Sequence, residues 1–127
     1  MNDYTALLEA AREAKANAYA PYSGFHVGAA LLAKGAVYTG CNVENASYGG
    51  CICAERTAAV KAVSAGERDF LAIAISADTP LCTPCGICRQ FLTEFGDMDV
   101  IMENEGGEPV VLRLSDLLPA AFSMDGR

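Results

Sequence analysis

At 127 residues the chain can bury a core of its own but has no room for a separate cofactor domain, so one domain spanning 1–127 is expected. Sixteen acidic against nine basic residues leave a net charge of -7 with no Lys/Arg cluster, which weighs against nucleic acid as a partner. The 52% hydrophobic share points to subunit interfaces, while no apolar run reaches the ~18 residues of a membrane span and Asp3 and Glu9 spoil a signal-like start; a cytoplasmic homo-oligomer away from membranes is expected.

Leu7, Leu8, Ala11, Ala14 and Ala18 recur at helical spacing between Tyr4 and Tyr19, and Pro21 stops the pattern. Val27 to Ala33 and Ala36 to Asn42, around a turn at Lys34-Gly35, read as a hairpin. The Asn/Ser/Gly-rich stretch from Asn42 to Gly50 is a loop suited to recognition groups. Ala54 to Ser64 is a helix closed by Gly66, Phe70 to Ala77 a buried strand, and Gly86 to Phe95 a helix closed by Gly96. Val100 to Glu103 and Pro109 to Leu112 flank a turn at Asn104 to Gly107. The order α-β-β-α-β-α-β-β predicts an α/β fold, a mixed five-stranded sheet sandwiched by helices, with the strand-helix-strand units giving its parallel pairs.

Six cysteines at Cys-x-x-Cys spacing in a chain with a substantial core favour metal or redox chemistry over a disulfide framework. Cys53 falls just before one helix, and Cys85 and Cys88 fall on the first turn of another, three apart and on one face. Two helix N-termini then converge on one Zn2+, and their partial positive charge lowers the thiol pKa. Three thiolates and Zn2+ sum to a negative charge that hinders ionisation of a bound water. Arg56 is the cation placed behind the ligands to hydrogen-bond the sulfurs and restore that acidity. Glu55, two residues from Cys53, reads as a proton shuttle beside the metal, the plainer alternative being an acidic residue that stabilises a helix's first turn. A closed structural zinc site, with Cys51 or Cys82 as fourth ligand, has no use for Glu55. A Cys85/Cys88 redox pair leaves Cys53 and Glu55 unexplained.

Cysteine ligation, a glutamate that is not a ligand, and Pro-Cys-x-x-Cys together form a signature of zinc deaminases. The chain carries Ala20-Pro-Tyr-Ser-Gly-Phe-His-Val-Gly-Ala-Ala-Leu31, Gly40-Cys-Asn-Val-Glu-Asn-Ala-Ser-Tyr48, Cys53-Ala-Glu-Arg-Thr57, Pro84-Cys-Gly-Ile-Cys-Arg-Gln90 and Leu117-Leu-Pro-Ala-Ala-Phe122. In these blocks, and over nearly its whole length, it closely resembles the small cytidine deaminases of nucleoside salvage. The resemblance implies a cytidine deaminase-like fold, a homotetramer with shared active sites, and hydrolytic deamination of cytidine and 2′-deoxycytidine to the uracil nucleosides and ammonia. Zinc-bound hydroxide would attack C4 of the base while Glu55 protonates N3 and then the leaving amino group.

The same resemblance implies that Phe25 lies against the nucleoside and that Asn42 and Glu44 hold the ribose 3′-hydroxyl. Backbone near Ala54 and Cys85 would meet the base edge, and Ala46, Tyr48 and Phe122 would reach a neighbouring subunit's substrate. A carboxylate and an amide suit a neutral sugar and repel a phosphate, so nucleosides rather than deoxycytidylate are expected. Pro84 starts a helix that joins Cys85 to Cys88 and leaves Cys82 outside, and Cys53 is preferred to Cys51 because Glu55 follows it. Cys41 reads as a small buried hydrophobe. His26, the only histidine, precedes a strand with no acid near it in sequence and is read as lying outside the chemistry.

Overall fold

The computed structural model describes residues 4–124. Its elements are helix α1 (Thr5–Lys15), strands β1 (Val27–Ala33) and β2 (Val37–Cys41), helix α2 (Ala54–Ser64), strand β3 (Phe70–Ala77), helix α3 (Gly86–Thr93), strands β4 (Asp99–Glu103) and β5 (Pro109–Arg113), and the short helix α4 (Leu114–Leu117). The expected order is present. Two additions, α4 and a single 3-10 turn at Tyr48–Gly50, are too short to show any periodicity in sequence.

The strands form one mixed sheet in the order β2-β1-β3-β4-β5. β1 pairs antiparallel with β2 and, along its other edge, with β3; β4 and β5 form a second antiparallel pair. The expectation that each strand-helix-strand unit gives a parallel pair holds for β3-α3-β4 alone. Strands β2 and β3 run the same way, but β1 stands between them, because the hairpin leaves one edge of β1 free to take β3.

Alternation along the strands divides the core between two faces. Ala30, Ala72, Ala74 and Ile101 pack with Leu7, Leu8 and Ala11 of α1. Ala29, Leu31, Ile73, Ile75, Val100 and Met102 pack with Ala54, Ala58, Ala59 and Ala62 of α2 and Leu92 of α3. Each large aliphatic side chain buried this way contributes about 1.5–3 kcal/mol. The alanines contribute less area but let α2 lie close to the sheet.

α1 ends at Lys15 rather than continuing to Tyr19. Tyr19 is drawn into extended pairing beside Val43, its N–H donating to Asn42 O at 2.9 Å and its carbonyl accepting from Glu44 N–H at 2.8 Å. Residues 16–18 therefore close tight turns onto Glu13, Ala14 and Lys15. This pairing matters for the site, since it fixes the 20–25 turn against the loop that follows β2. α3 likewise stops at Thr93, where Phe95 and Gly96 tighten the last turn onto Leu92 and Thr93 and Gly96 takes φ +98.

Candidate active site

Cys53 is the N-cap of α2 and Cys85 the N-cap of α3, both in extended backbone, and Cys88 is buried in the first turn of α3. Helix N-termini present N–H groups without intrahelical partners, and here two of them meet at sulfur. The three sulfurs lie within 4.8 Å of one another, with Cys53 Sγ and Cys85 Sγ 3.5 Å apart. Zn–S bonds of ~2.3 Å at tetrahedral angles put sulfurs about 3.8 Å apart, so the spacing and the soft donor set fit zinc. Among the described residues these are the one group of three or more His, Cys, Asp or Glu side chains close enough to hold a single ion.

Behind the sulfurs, Arg56 Nη2 donates to Cys53 Sγ at 3.6 Å, while its buried Nε finds no hydrogen-bond partner among the described residues. Cys53 is pulled down to about 5, chiefly by the hydrogen bond from Cys88, with further help from Arg56 and Cys85. Cys88 is pushed up by that same hydrogen bond to Cys53 and then by burial. A first thiolate therefore forms readily, and a metal must displace the protons that remain.

Glu55 sits in the first turn of α2 and is 4% exposed. Burial, with the neighbouring Cys53 charge as a smaller cause, raises its carboxyl to about 7. A carboxyl raised toward neutrality is better matched to taking and returning a proton near neutral pH than one at the ordinary value of 4.5.

A groove of about 390 Å3 opens beside Cys53, lined by Tyr22, Ser23, Asn42, Val43, Glu44, Asn45, Tyr48, Cys51 and Ile52 as well. The Asn42 amide joins two neighbours: Nδ2 donates to Phe25 O at 2.8 Å and Oδ1 accepts from Val27 N–H at 2.9 Å. Glu44 Oε1 accepts from the N–H groups of Tyr22 and Ser23 at 2.9 and 3.1 Å, and the Ser23 hydroxyl donates to Oε2. The Ser23 bonds are the main reason that Glu44 is held below the usual carboxylate range.

Of the other residues singled out in sequence, Ala54 is fully buried at the start of α2, Phe25 is half-buried, and Ala46 is exposed on the loop. Tyr48 is 81% exposed at the groove's mouth. Phe122, 70% exposed, lies apart from the groove in a cavity of about 500 Å3 with Leu118, Pro119 and the end of α3. Gln90 Nε2 holds its carbonyl at 3.0 Å.

Cys51 and Cys82 stay outside the sulfur cluster. Cys51 Sγ accepts from Asn45 N–H at 3.3 Å and tightens the loop, and Cys82 faces the carbonyl of Thr83. His26 does have an acid partner, Asp78, at 2.9 Å from Nδ1, but a separation of 52 residues hides the pair from a sequence reading. Arg89, in the Pro84 to Gln90 block, has a role that no local sequence pattern announces. Its guanidinium donates to Pro84 O at 2.7 Å, Leu117 O at 2.9 Å and Thr83 Oγ1 at 3.2 Å, and so holds the loop that carries Cys85.

Residues 1–104 match the family described as the cytidine and deoxycytidylate deaminase zinc-binding region. The cytidine deaminase of Sporosarcina psychrophila is 48% identical over 97% of this chain and 93% of its own. That of Halalkalibacterium halodurans is 49% identical over 97% and 96%. Among solved structures, cytidine deaminase from Burkholderia pseudomallei superimposes with a TM-score of 0.86 at 50% identity, covering 96% of this chain and 100% of its own. The enzyme from Mycobacterium tuberculosis gives 0.83 at 42% identity, covering 98% and 100%.

Proposed function

The chain belongs to the cytidine and deoxycytidylate deaminase family, and from that premise we propose that it hydrolyses cytidine and 2′-deoxycytidine to uridine and 2′-deoxyuridine, releasing ammonia. The observation that carries the reading is the meeting of three sulfurs from two helix N-termini beside a buried carboxyl poised at about 7. Its cofactor is zinc, and Cys53, Cys85 and Cys88 would hold the ion. Bound there, Zn2+ supplies the Lewis acidity that makes water a nucleophile at neutral pH.

The chain's own residues do the rest. Glu55 takes a proton from the attacking water and gives it to N3 of the cytosine ring as C4 is attacked. It then carries that water's remaining proton, now on the C4 hydroxyl, to the amino group, so that the C4–N bond breaks, ammonia leaves and N3 keeps its proton. Arg56 keeps positive charge against the sulfurs and so opposes the surplus negative charge of three thiolates. Backbone at Ala54 and Cys85 meets the base edge, Phe25 lies against the nucleoside, and Asn42 and Glu44 receive the ribose 3′-hydroxyl. Among the described residues the groove's lining contains Glu44, held in its ionised form, and no basic side chain, which favours a nucleoside over a nucleotide.

The catalytic domain would be the whole chain, assembled as a homotetramer with shared active sites. Tyr48 and Phe122, 81% and 70% exposed, leave aromatic surface that a neighbouring subunit would cover. Ala46, on the same loop, would join them at a neighbour's substrate. No helix among the described residues is long and apolar enough to cross a membrane. Six unpaired cysteines fit the reducing cytoplasm as its location.

The test is the ultraviolet absorbance change on mixing zinc-loaded protein with cytidine, with ammonia measured in parallel. Stoichiometric uridine and ammonia are expected. Folded, zinc-bound protein that converts neither cytidine nor deoxycytidine would overturn the reading, and sedimentation of a fully active monomer would overturn the shared site.

A further inference from the structure

We propose that Ser23 is a positioning residue that fixes which acceptor Glu44 offers to the sugar, and that it thereby sets discrimination for the 3′-hydroxyl. This rests on the reading of Glu44 as the residue that meets the ribose.

A carboxylate has about four lone-pair sites. Two are filled on Glu44 Oε1, by the N–H groups of Tyr22 and Ser23 at 2.9 and 3.1 Å. A third is filled on Oε2 by the Ser23 hydroxyl. Among the described residues one acceptor site is left, on Oε2, and its direction is set by the hydroxyl already bound there. Glu44 and Ser23 both line the groove beside Cys53, so the remaining acceptor belongs to the site.

The hydroxyl is not free to turn away. The Phe25 N–H donates into Ser23 Oγ at 3.0 Å, which commits the single hydroxyl proton to Glu44. The turn that carries Ser23 is held by Gly24 N–H on Ala20 O at 2.9 Å, with Gly24 at φ +69, and by the pairing of Tyr19 with Val43 at its base. The same hydroxyl therefore ties Glu44 to the backbone of Phe25, whose carbonyl is held in turn by Asn42. The groups read as meeting sugar and base are fixed relative to one another through one oxygen. Without it, Oε2 has two open sites and the carboxylate can hydrate or rotate, so its attraction for a sugar hydroxyl loses direction.

The experiment measures kcat and KM for cytidine and for 3′-deoxycytidine, with zinc content, in the unsubstituted enzyme, Ser23→Ala and Ser23→Thr. The unsubstituted enzyme is expected to prefer cytidine. Ser23→Ala should lose about tenfold in kcat/KM for cytidine, mostly through KM, as expected for one hydrogen bond to a charged group. Its kcat/KM for 3′-deoxycytidine should stay within about twofold, and Ser23→Thr, which keeps a hydroxyl, should restore the preference. Equal falls on both substrates would mark Ser23 as merely structural and overturn the proposal, as would an unchanged preference. Should Ser23→Ala fail to fold, Ser23→Cys replaces it; its weaker donor is expected to give an intermediate preference, and a native preference overturns the proposal. Equal conversion of the two nucleosides by the unsubstituted enzyme defeats the Glu44 reading and this proposal together. Conversion of neither defeats the deaminase reading itself.

Discussion

Gly28 of β1 and Gly40 of β2 each let a helix backbone rest directly on the sheet, one on either face. A Cβ on Gly28 would stand 2.1 Å from Ala11 O and 2.4 Å from Lys15 N of α1; a Cβ on Gly40 would stand 2.5 Å from Ala58 N and 2.7 Å from Ala54 O of α2. The packing is alike, but the polar groups around it are not. On the α1 face opposite charges neutralise one another: Arg12 binds Glu103 at 2.8 Å and Gly107 O at 2.6 Å, and Lys15 lies 3.9 Å from Asp78. On the α2 face a carboxyl is buried at Glu55, and the Arg56 Nε–H has no hydrogen-bond partner among the described residues. Close packing alone makes a stable layer. The same packing becomes a site where it buries the first turn of a helix together with groups that would rather be solvated.

The sharpest way to break this division is to neutralise one carboxylate on each face. Glu55→Gln should retain zinc and lose turnover by more than the ~10²–10⁴ of a single acid-base role, because one carboxyl serves several proton transfers. Glu103→Gln should weaken the hold on Arg12 and leave kcat within about twofold, as expected for a group remote from the reacting atoms. Zinc analysis and steady-state kinetics on both proteins decide it. Near-native turnover in Glu55→Gln would remove Glu55 as the proton carrier, and comparable kcat losses in both would end the contrast between faces.

A smaller effect separates the two glycines. Gly28→Ala and Gly40→Ala each force backbone apart and should cost about 1–3 kcal/mol of stability by urea denaturation. Only Gly40→Ala should also lower kcat per bound zinc. One of the atoms it would strike, Ala54 O, lies between Cys53 and Glu55 in the chain, whereas Gly28 presses on Ala11 and Lys15 in the last turn of α1, away from any residue of the site. Equal kcat values in the two variants would show that α2 can shift without moving the site.

The same contrast explains what could be read from sequence. The α2 and α3 side was legible because cap, ligand and acid are neighbours in the chain: Cys53 with Glu55, and Pro84 with Cys85 and Cys88. Helix spans there follow the local sequence closely, since Gly66 and Gly96 close the helices. What escaped depended on partners distant in sequence. Ala14 and Ala18 keep the helical period and predict α1 running to Tyr19, whereas pairing of Tyr19 with Asn42 and Glu44 ends the helix earlier. Ser23 meets Glu44 across 21 residues and His26 meets Asp78 across 52. The lack of a parallel β2/β3 pair was equally hidden, because local pattern does not say which strand takes the free edge of a hairpin.

The smallest expected effect is on the pH dependence of stability in the zinc-free protein, where the faces should respond with opposite sign. Asp99, held low chiefly by the Tyr4 hydroxyl and then by Arg113, and Asp78, held low by the backbone and ring of His26, stabilise the folded state above their ordinary value of 3.8. That contribution is lost as pH falls through their folded values, because protonation then accompanies unfolding. Glu55, raised from 4.5 to about 7, behaves in reverse: between those values the folded state holds a proton that the unfolded chain releases. Its contribution is complete below 4.5 and is lost as pH rises through about 7. Cys53, lowered from 9.0 to about 5, adds the opposite slope from 5 upwards, so the Glu55 contribution must be taken as a difference between two proteins. Urea midpoints from about pH 3 to 8 for the zinc-free protein, Asp99→Asn and Glu55→Gln provide it. The stability of Glu55→Gln relative to the unsubstituted protein should grow between 4.5 and 7 with the acid limb unchanged, while Asp99→Asn should soften the acid limb alone. Parallel curves for Glu55→Gln and the unsubstituted protein would mean that Glu55 is charged at neutral pH despite its burial, and the poise on which its proton transfers depend would have to come from the bound metal instead.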